Sequence, residues 1–448
     1  MKKNELLTKD IRTLIKQIAI PSSIGMFFNT MYNVVDTFYV GMISTIAITA
    51  LSYSFMVFFM ILSISFGLSS AITALVGNSL GKNKYKLAQI FVTNGITFIL
   101  IVSTILCSVG FIFLPDIFSL LGAKDEALRL SLIYTNVILI GVIPMLLGLG
   151  ANAALIAQGD TKSYRNSLIF GFILNLLLNP LFIYGYAIIP AFGFAGVAYA
   201  TVLIQFITFL YIMMKLYKTD LFNFKTPKMF LPEIRIYKQL FTQALPMSLN
   251  MFIMSLGTML IMYFVSTYGY KTVAAFGIGY RVEQIILLPM LGLNTAVSAI
   301  VANNYGAKNF DRISEVINKA LKYGFVMSLI GIVLLFFFGK FIIGFFDQDP
   351  EVIQTSYHYV MIESFIFFAF ITLFITNSVL QGIKRPFIIP YVSIYRQLLM
   401  PFILLYIAVF YFKSTAETAW IILGLIIYSA AIWMFFYMKR ELKKVQKV

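Results

Sequence analysis

Long apolar stretches alternate with short polar breaks along this chain. Twelve of them run over 13–41, 45–78, 87–114, 128–156, 163–186, 191–217, 237–268, 272–303, 314–346, 351–381, 386–412 and 415–438. A membrane-spanning helix needs about 20 mostly apolar residues, and every stretch is long enough. Several exceed that length, which predicts tilt or projection beyond the hydrocarbon. The pattern therefore predicts an all-α integral membrane protein with twelve transmembrane helices. Pro21, Pro144, Pro180, Pro289 and Pro401 fall inside spans and are expected to kink them. The basic start (Lys2, Lys3, Lys9, Arg12) leads into a full-length span without a small-residue cleavage pattern, so no cleavable signal peptide is expected.

The pattern also repeats. A shift of 225 residues lays Ala19, Pro21, Ser23 and Met26 on Ala244, Pro246, Ser248 and Met251, and Val76, Asn78 and Gly81 on Val301, Asn303 and Gly306. The shift drifts to 223 for Gln158-Gly159 onto Gln381-Gly382, and to 221 for Leu177-Leu178 and Pro180 onto Leu398-Leu399 and Pro401. The anchors keep their order and lie in equivalent spans. Six spans per half is an even number, so both halves enter from the same side. That predicts two parallel six-helix bundles related by a pseudo-two-fold along the membrane normal, an arrangement common in secondary transporters. The expected lobes are 1–217 and 237–448, joined by a polar cytoplasmic linker over 218–236 that holds Lys225, Pro227, Lys228, Pro232 and Glu233.

Composition narrows the class. Of 448 residues, 60% are hydrophobic and only 12% charged, against about 25% charged in soluble domains. High hydrophobicity excludes disorder. A lone Cys107 excludes a disulfide framework, and a lone His358 argues against a His-built metal site. The net charge of +16 does not point to nucleic acid, because the bases sit between apolar runs. With the amino terminus placed in the cytoplasm, 27 of 34 Lys and Arg fall in cytoplasmic ends and loops and five in outer loops. This bias predicts a multi-pass protein of the cell (inner or plasma) membrane with both termini cytoplasmic. No nucleophile triad, phosphate-binding glycine loop or metal-ligand cluster is present, so an enzyme is not expected.

Five ionisable residues lie inside spans: Asp36, Arg281, Glu283, Glu363 and Arg396. Each costs about 2.5–3.5 kcal/mol at mid-bilayer on insertion scales, so each needs a reason to be there. Asp36 is alone in the first half. Helical spacing puts Asn29, Tyr32, Asn33 and Tyr39 on its face. Asn175 and Asn179 share one face of the fifth span, and Thr201 and Gln205 one face of the sixth. These oxygens suit a small hard cation, Na⁺, or a proton-bearing carboxyl group at Asp36, Asn175, Asn179 and Thr201. The Asn and Thr residues equally suit plain interhelical hydrogen bonding. In the second half, Arg281, Glu283, Glu363 and Arg396 all fall near the midplane. They read as an ion-pair network tying three helices, or as acids that exchange a partner for a cation or proton. Met251 and Met254 belong to a stripe on the seventh span that suits either varied apolar ligands or packing.

Several motifs carry a resemblance: Asn33–Gly41 (NVVDTFYVG), Val76–Gly81 (VGNSLG) with its echo Val301–Gly306, Gln158-Gly159, Asn175–Gly185 (NLLLNPLFIYG), Gly196–Thr201 (GVAYAT) and Arg281–Pro289 (RVEQIILLP). In order and spacing, over nearly the whole chain, they resemble the multidrug and toxic compound extrusion (MATE) family, nearest its prokaryotic branch with the DNA-damage-inducible members. The resemblance implies a V-shaped pair of lobes and an antiporter exporting small organic cations and drugs, driven by inward H⁺ or Na⁺ flow, with no cofactor. It implies that Asp36 is the coupling carboxylate, with Asn175, Asn179 and Thr201 as partners. The family motif commonly has Asp where this chain has Asn179, which leaves the first lobe one acid. A monomer in contact with membrane lipid is expected. A flippase for lipid-linked saccharides, from the same superfamily, is the alternative, and it would need Arg281 and Arg396 to face a head group.

Overall fold

The computed structural model describes residues 4–187, 189–222 and 227–447; Lys225 of the expected linker lies outside them. Among the described residues, eleven helices are long and apolar enough to cross a membrane. In chain order the long helices are α1 (Ile11–Ile43), α2 (Thr45–Gly81), α3 (Tyr85–Leu120), α4 (Asp125–Ile156), α5 (Lys162–Tyr184), α6 (Phe194–Tyr217), α7 (Ile234–Ser266), α8 (Tyr270–Gly306), α9 (Phe310–Ile343), α10 (Pro350–Gly382), α11 (Ile388–Tyr411) and α12 (Ala416–Gln446). The eleven apolar spans are α2–α12. α1 is as long as α7, at 33 residues, but Asn29, Tyr32, Asn33 and Asp36 dilute its apolar text.

Local chemistry sets the helix ends. The Ser44 hydroxyl accepts from the Ala47 amide at 3.1 Å and starts α2. Asp349 caps α10 at the Glu351 amide, with Pro350 in the first turn. α5 stops at Gly185, whose φ of +75° is strained for any other residue, and a Cβ there would meet the Ala191 nitrogen at 2.7 Å. Lys271, at the start of α8, pairs with Asp349 at 2.9 Å and Glu351 at 2.6 Å. The Lys271 hydrogen bond holds the Asp349 carboxyl below its usual range. That tie is therefore complete at neutral pH and is lost as acid protonates the carboxylate.

The helices form two compact units. One comprises the chain up to Ser23 together with Leu249 onward; the other is Ile24–Ser248. The division falls inside α1 and inside α7, whereas the expected linker over 218–236 belongs to the second unit. In the first unit, Ser23 Oγ donates to Ala19 O at 2.9 Å and to Pro289 O at 3.3 Å. It sits where a Cβ on Gly292 would be; that Cβ would also lie 2.9 Å from the Ser23 nitrogen. In the second unit, Ser248 Oγ donates to Ile64 O at 3.5 Å and sits against Gly67, whose Cβ would lie 2.8 Å from the Ser248 nitrogen. Ser23 and Ser248, Gly292 and Gly67, Pro289 and Ile64 are pairs at the same 225-residue shift. The first half of each repeat's opening helix thus packs on a glycine of a helix encoded by the other repeat.

The start of the chain is tied into the first unit. Leu6 is buried, Asn4 Nδ2 donates to Asn303 Oδ1 at 2.9 Å, and Asn304 Nδ2 donates to Leu6 O at 3.1 Å. Arg312 donates to Lys9 O at 2.7 Å, and Lys319 pairs with Asp10 at 3.5 Å. In α11 the expected proline kink takes the form of a widened turn. Pro401 has no N–H for the Gln397 carbonyl, and Tyr395–Leu399 is π-helical. Gly257 on α7 admits Gln397, since a Cβ there would lie 3.0 Å from the Gln397 carbonyl oxygen.

Candidate functional site

Asp36 sits on α1 within the second unit, 4% exposed. From Asp36 to Ile43, the end of α1, is about 10 Å of helix. Its polar stripe turns toward α5 and α6. Asn175 Nδ2 donates to Asp36 Oδ1 at 2.7 Å, Asn179 Nδ2 to the same oxygen at 2.9 Å, and Thr201 Oγ1 to Oδ2 at 3.4 Å. The four-residue spacing of the two asparagines brings both amides to one carboxylate oxygen. Tyr32 OH, one turn back on α1, donates to Thr201 Oγ1 at 3.2 Å. Tyr32, Thr201 and Asp36 therefore form a relay across two helices.

No base clamps the carboxylate: Asp36 has no ion pair among the described residues. Three donors satisfy it as an anion. The amide oxygens of Asn175 and Asn179 are buried without a partner. Rotating either amide brings an oxygen to the carboxylate, which is favourable only with a proton or metal ion between them. With the Thr201 and Asp36 oxygens, that makes an all-oxygen donor set suited to a small hard cation. The group thus has one arrangement for a bare carboxylate and another for an occupied one. Asn175→Leu removes the shortest donor and an orphaned oxygen together. A hydrogen bond to a charged group contributes about 1.5–3 kcal/mol, so we expect a loss of stability of that order, measured as a lower melting temperature of the purified protein.

The other first-half candidates lie outside this cluster. Asn29 and Asn33 are exposed, and Asn33 Nδ2 donates to Asn29 O at 3.0 Å. Tyr39 OH donates to Leu176 O at 3.3 Å, a second tie between α1 and α5. Gln205 turns to α4, with Nε2 3.7 Å from Met145 Sδ and Oε1 unpartnered. Met251 and Met254 belong to the first unit, where Asn250 Nδ2 lies 3.9 Å from Met254 Sδ.

The ion-pair network expected of Arg281, Glu283, Glu363 and Arg396 does not form. Glu283, Glu363 and Arg396 are each 5% exposed, and no ion pair joins any of the four among the described residues. Glu283 accepts from Tyr359 OH at 3.0 Å, while Glu363 Oε2 and Arg396 Nη1 are buried with no partner. Arg281 is exposed on the opposite face of α8 from Glu283. Depth along each span was readable, but pairing also needs side chains turned toward each other, and Arg281 turns away. Tyr359 is a residue that sequence reading missed. Its four-residue spacing to Glu363 was the available signal, because it stacks the hydroxyl and the acid on one face of α10.

A family model described as MatE matches the chain twice, over residues 21–181 and 246–407. The two matches carry the offset seen in the internal repeat. The probable multidrug resistance protein YoeA of Bacillus subtilis is 29% identical over 333 residues, 72% of this chain and 71% of that protein. The FAD transporter of Shewanella oneidensis is 27% identical over 80% of this chain and 79% of its own length. Among solved structures, an outward-facing multidrug resistance MATE transporter of the MOP superfamily superposes with a TM-score of 0.89 at 25% identity, covering 100% of this chain and 99% of its own. A MOP superfamily transporter from Pyrococcus furiosus, described as having a binding pocket of reverse polarity that suggests a different function, superposes at 0.92 with 25% identity, covering 100% of this chain and 99% of its own.

Proposed function

Because the chain belongs to the MATE family of membrane transporters, we propose that it is a cation-coupled antiporter, exporting small organic molecules across the cell membrane by alternating access. Inward flow of H⁺ or Na⁺ drives it, and both termini lie in the cytoplasm. It works as a monomer in contact with lipid. Multidrug resistance relatives support drug-like cargo, with organic cations the class implied by the motifs; the Shewanella relative adds a flavin nucleotide to that range.

The observation that carries the reading is the buried, unclamped Asp36 with two orphaned amide oxygens beside it. In the outward-facing state Asp36 takes H⁺ or Na⁺ from outside. Its demand for donors falls, the amides of Asn175 and Asn179 turn, and α1 shifts against α5 and α6 as cargo leaves. In the inward-facing state the ion departs and the three donors close on the bare carboxylate. Coupling follows only if ion and cargo favour different states, each by its own differential affinity. A second acceptor of coupling ions is supported in the other unit. Glu283 and Glu363 are buried without a basic partner, so a proton or cation from outside is the available compensation. The flippase alternative needs basic side chains offered to a head group, and burial removes Arg396 from that role.

The test is efflux from proteoliposomes under separately imposed proton and Na⁺ gradients. Export under one gradient, abolished when that gradient is collapsed, is the expected outcome. Equal flux with neither gradient present would overturn coupled antiport.

A further inference from the structure

Coupling leaves two intramembrane charges unused, Arg281 and Arg396, and the surroundings of Arg281 differ from those of the other four. From Lys271, in the polar cluster with Asp349 and Glu351, to Arg281 is about 15 Å of helix, half of a hydrocarbon core about 30 Å thick. Asp36, Glu283, Glu363 and Arg396 are 4–5% exposed. Arg281 is exposed and makes no hydrogen bond or ion pair among the described residues. The packed face of α8 carries Ala275, Gly279, Val282, Glu283, Leu287 and Met290, all buried. Arg281 points the other way, with exposed Gln284 and Ile285 on the next turn. One turn before it, Gly277 has nothing within 4 Å of where a Cβ would be. The helix therefore presents an unpaired guanidinium at half-depth, one turn from a glycine with open space beside it.

A guanidinium at that depth is not left in hydrocarbon; such residues face a packed interior or a water-filled cavity. Arg281 is exposed and does not face the interior of its unit, so a water-filled cavity is the setting this rule leaves for it. There it offers five donors in a fork matched to an oxyanion. We propose that Arg281 is a cargo-binding residue, and that the exported molecules include amphiphiles bearing a carboxylate or phosphate on an aromatic body. The oxyanion docks on Arg281 with Gln284 beside it, and the ring system lies over Gly277. This rests on the export reading above and specifies its cargo. Positive charge is what the structure displays at this depth, because the three carboxylates are withdrawn into the packed helices. The source of the oxyanion is a soluble small molecule and not a lipid head group, since Arg281 acts without a second base.

The experiment compares 5-carboxyfluorescein with ethidium in proteoliposomes carrying the full-length protein, under whichever gradient drives export. A third arm follows translocation of fluorescently labelled phosphatidylglycerol. Wild type is expected to move carboxyfluorescein. Arg281→Gln is expected to lower the carboxyfluorescein-to-ethidium flux ratio about tenfold, and Arg281→Lys to restore part of it, as loss of one charged hydrogen-bond partner implies. Gly277→Leu, placed in open space, is expected to leave yield and melting unchanged and to raise the carboxyfluorescein KM about fivefold or more by occupying the space over which the ring system lies. Ethidium flux without carboxyfluorescein flux in wild type overturns the inference, as does an unchanged ratio in Arg281→Gln. Translocation of the labelled lipid in place of the dye overturns the soluble source. Movement of neither dye nor lipid overturns the export reading, and this inference with it.

Discussion

Asp36→Asn is expected to remove gradient-driven export, by roughly a hundredfold or more, in a protein that still folds and still binds cargo. The substitution keeps size and shape, so helix packing should survive. It removes the charge that three donors converge on, at 2.7, 2.9 and 3.4 Å. It also removes the group that takes up H⁺ and the only formal negative charge offered to Na⁺ by this set of residues. A ligand shifts a two-state equilibrium only by its differential affinity, and moving a 1:99 population to 99:1 takes about 5.5 kcal/mol. An amide supplies none of this, so the ion gradient loses its handle at this site and keeps only what Glu283 and Glu363 give it in the other unit. The variant should accumulate normally, bind dye at equilibrium, and give efflux little faster with a gradient than without. Wild-type export by Asp36→Asn would end the assignment. The relay predicts a graded companion: Tyr32→Phe deletes only the hydroxyl that donates to Thr201 and should cost far less.

Gly67→Val should have the largest effect on folding, with Gly292→Val its counterpart in the other repeat. A Cβ at Gly67 would lie 2.8 Å from the Ser248 backbone nitrogen and closer still to Ser248 Oγ; at Gly292 it would lie 2.9 Å from the Ser23 nitrogen. Helix backbone cannot turn aside as a flexible side chain does. Overpacking in a well-filled core costs about 1–3 kcal/mol and more when backbone must move, a large share of total stability of about 5–15 kcal/mol. We expect sharply reduced yield of monodisperse protein and a lower melting temperature for either variant. Gly277→Ala, with nothing within 4 Å, serves as the control and should melt like wild type. Unchanged melting of Gly67→Val would show that the α2–α7 crossing has room for a side chain and does not depend on close contact at this glycine.

Much of this architecture was legible in the linear text because the bilayer imposes a length on each apolar run. Each expected span corresponds to one long helix, and the repeat anchors Ser23 and Ser248 prove to be equivalent packing points. Helical periodicity put Asn175 and Asn179 on one face and aligned Tyr32 with Asp36, and those four residues do meet, with Thr201. Three things were not legible. Periodicity does not give the rotation of one helix against another, so Gln205, on the same face as Thr201, turns to Met145 instead of Asp36. It does not say which buried charges meet, so the four charges of the second half suited an ion-pair network, though none is in an ion pair among the described residues. Nor does it show which unit each half of a helix joins, because α1 and α7 are continuous in sequence and divided only by packing. The duplicated scaffold also carries unduplicated chemistry: Asp36 falls on Ile261 at the repeat shift, and Glu283 on Phe58.

The division of α1 bears on biosynthesis. Ile11, Leu14, Ile15, Ile18 and Ala19 are 0–5% exposed within the unit that begins again at Leu249. When these residues leave the ribosome, the helices that will cover them have not been made. At about 5–20 residues per second, the nascent chain waits on the order of tens of seconds before α8 can accept the Ser23 segment. For that interval the newborn amino terminus needs lipid or a chaperone against its apolar side. A gene cut between the repeats would yield two polypeptides, each missing a segment its own fold requires.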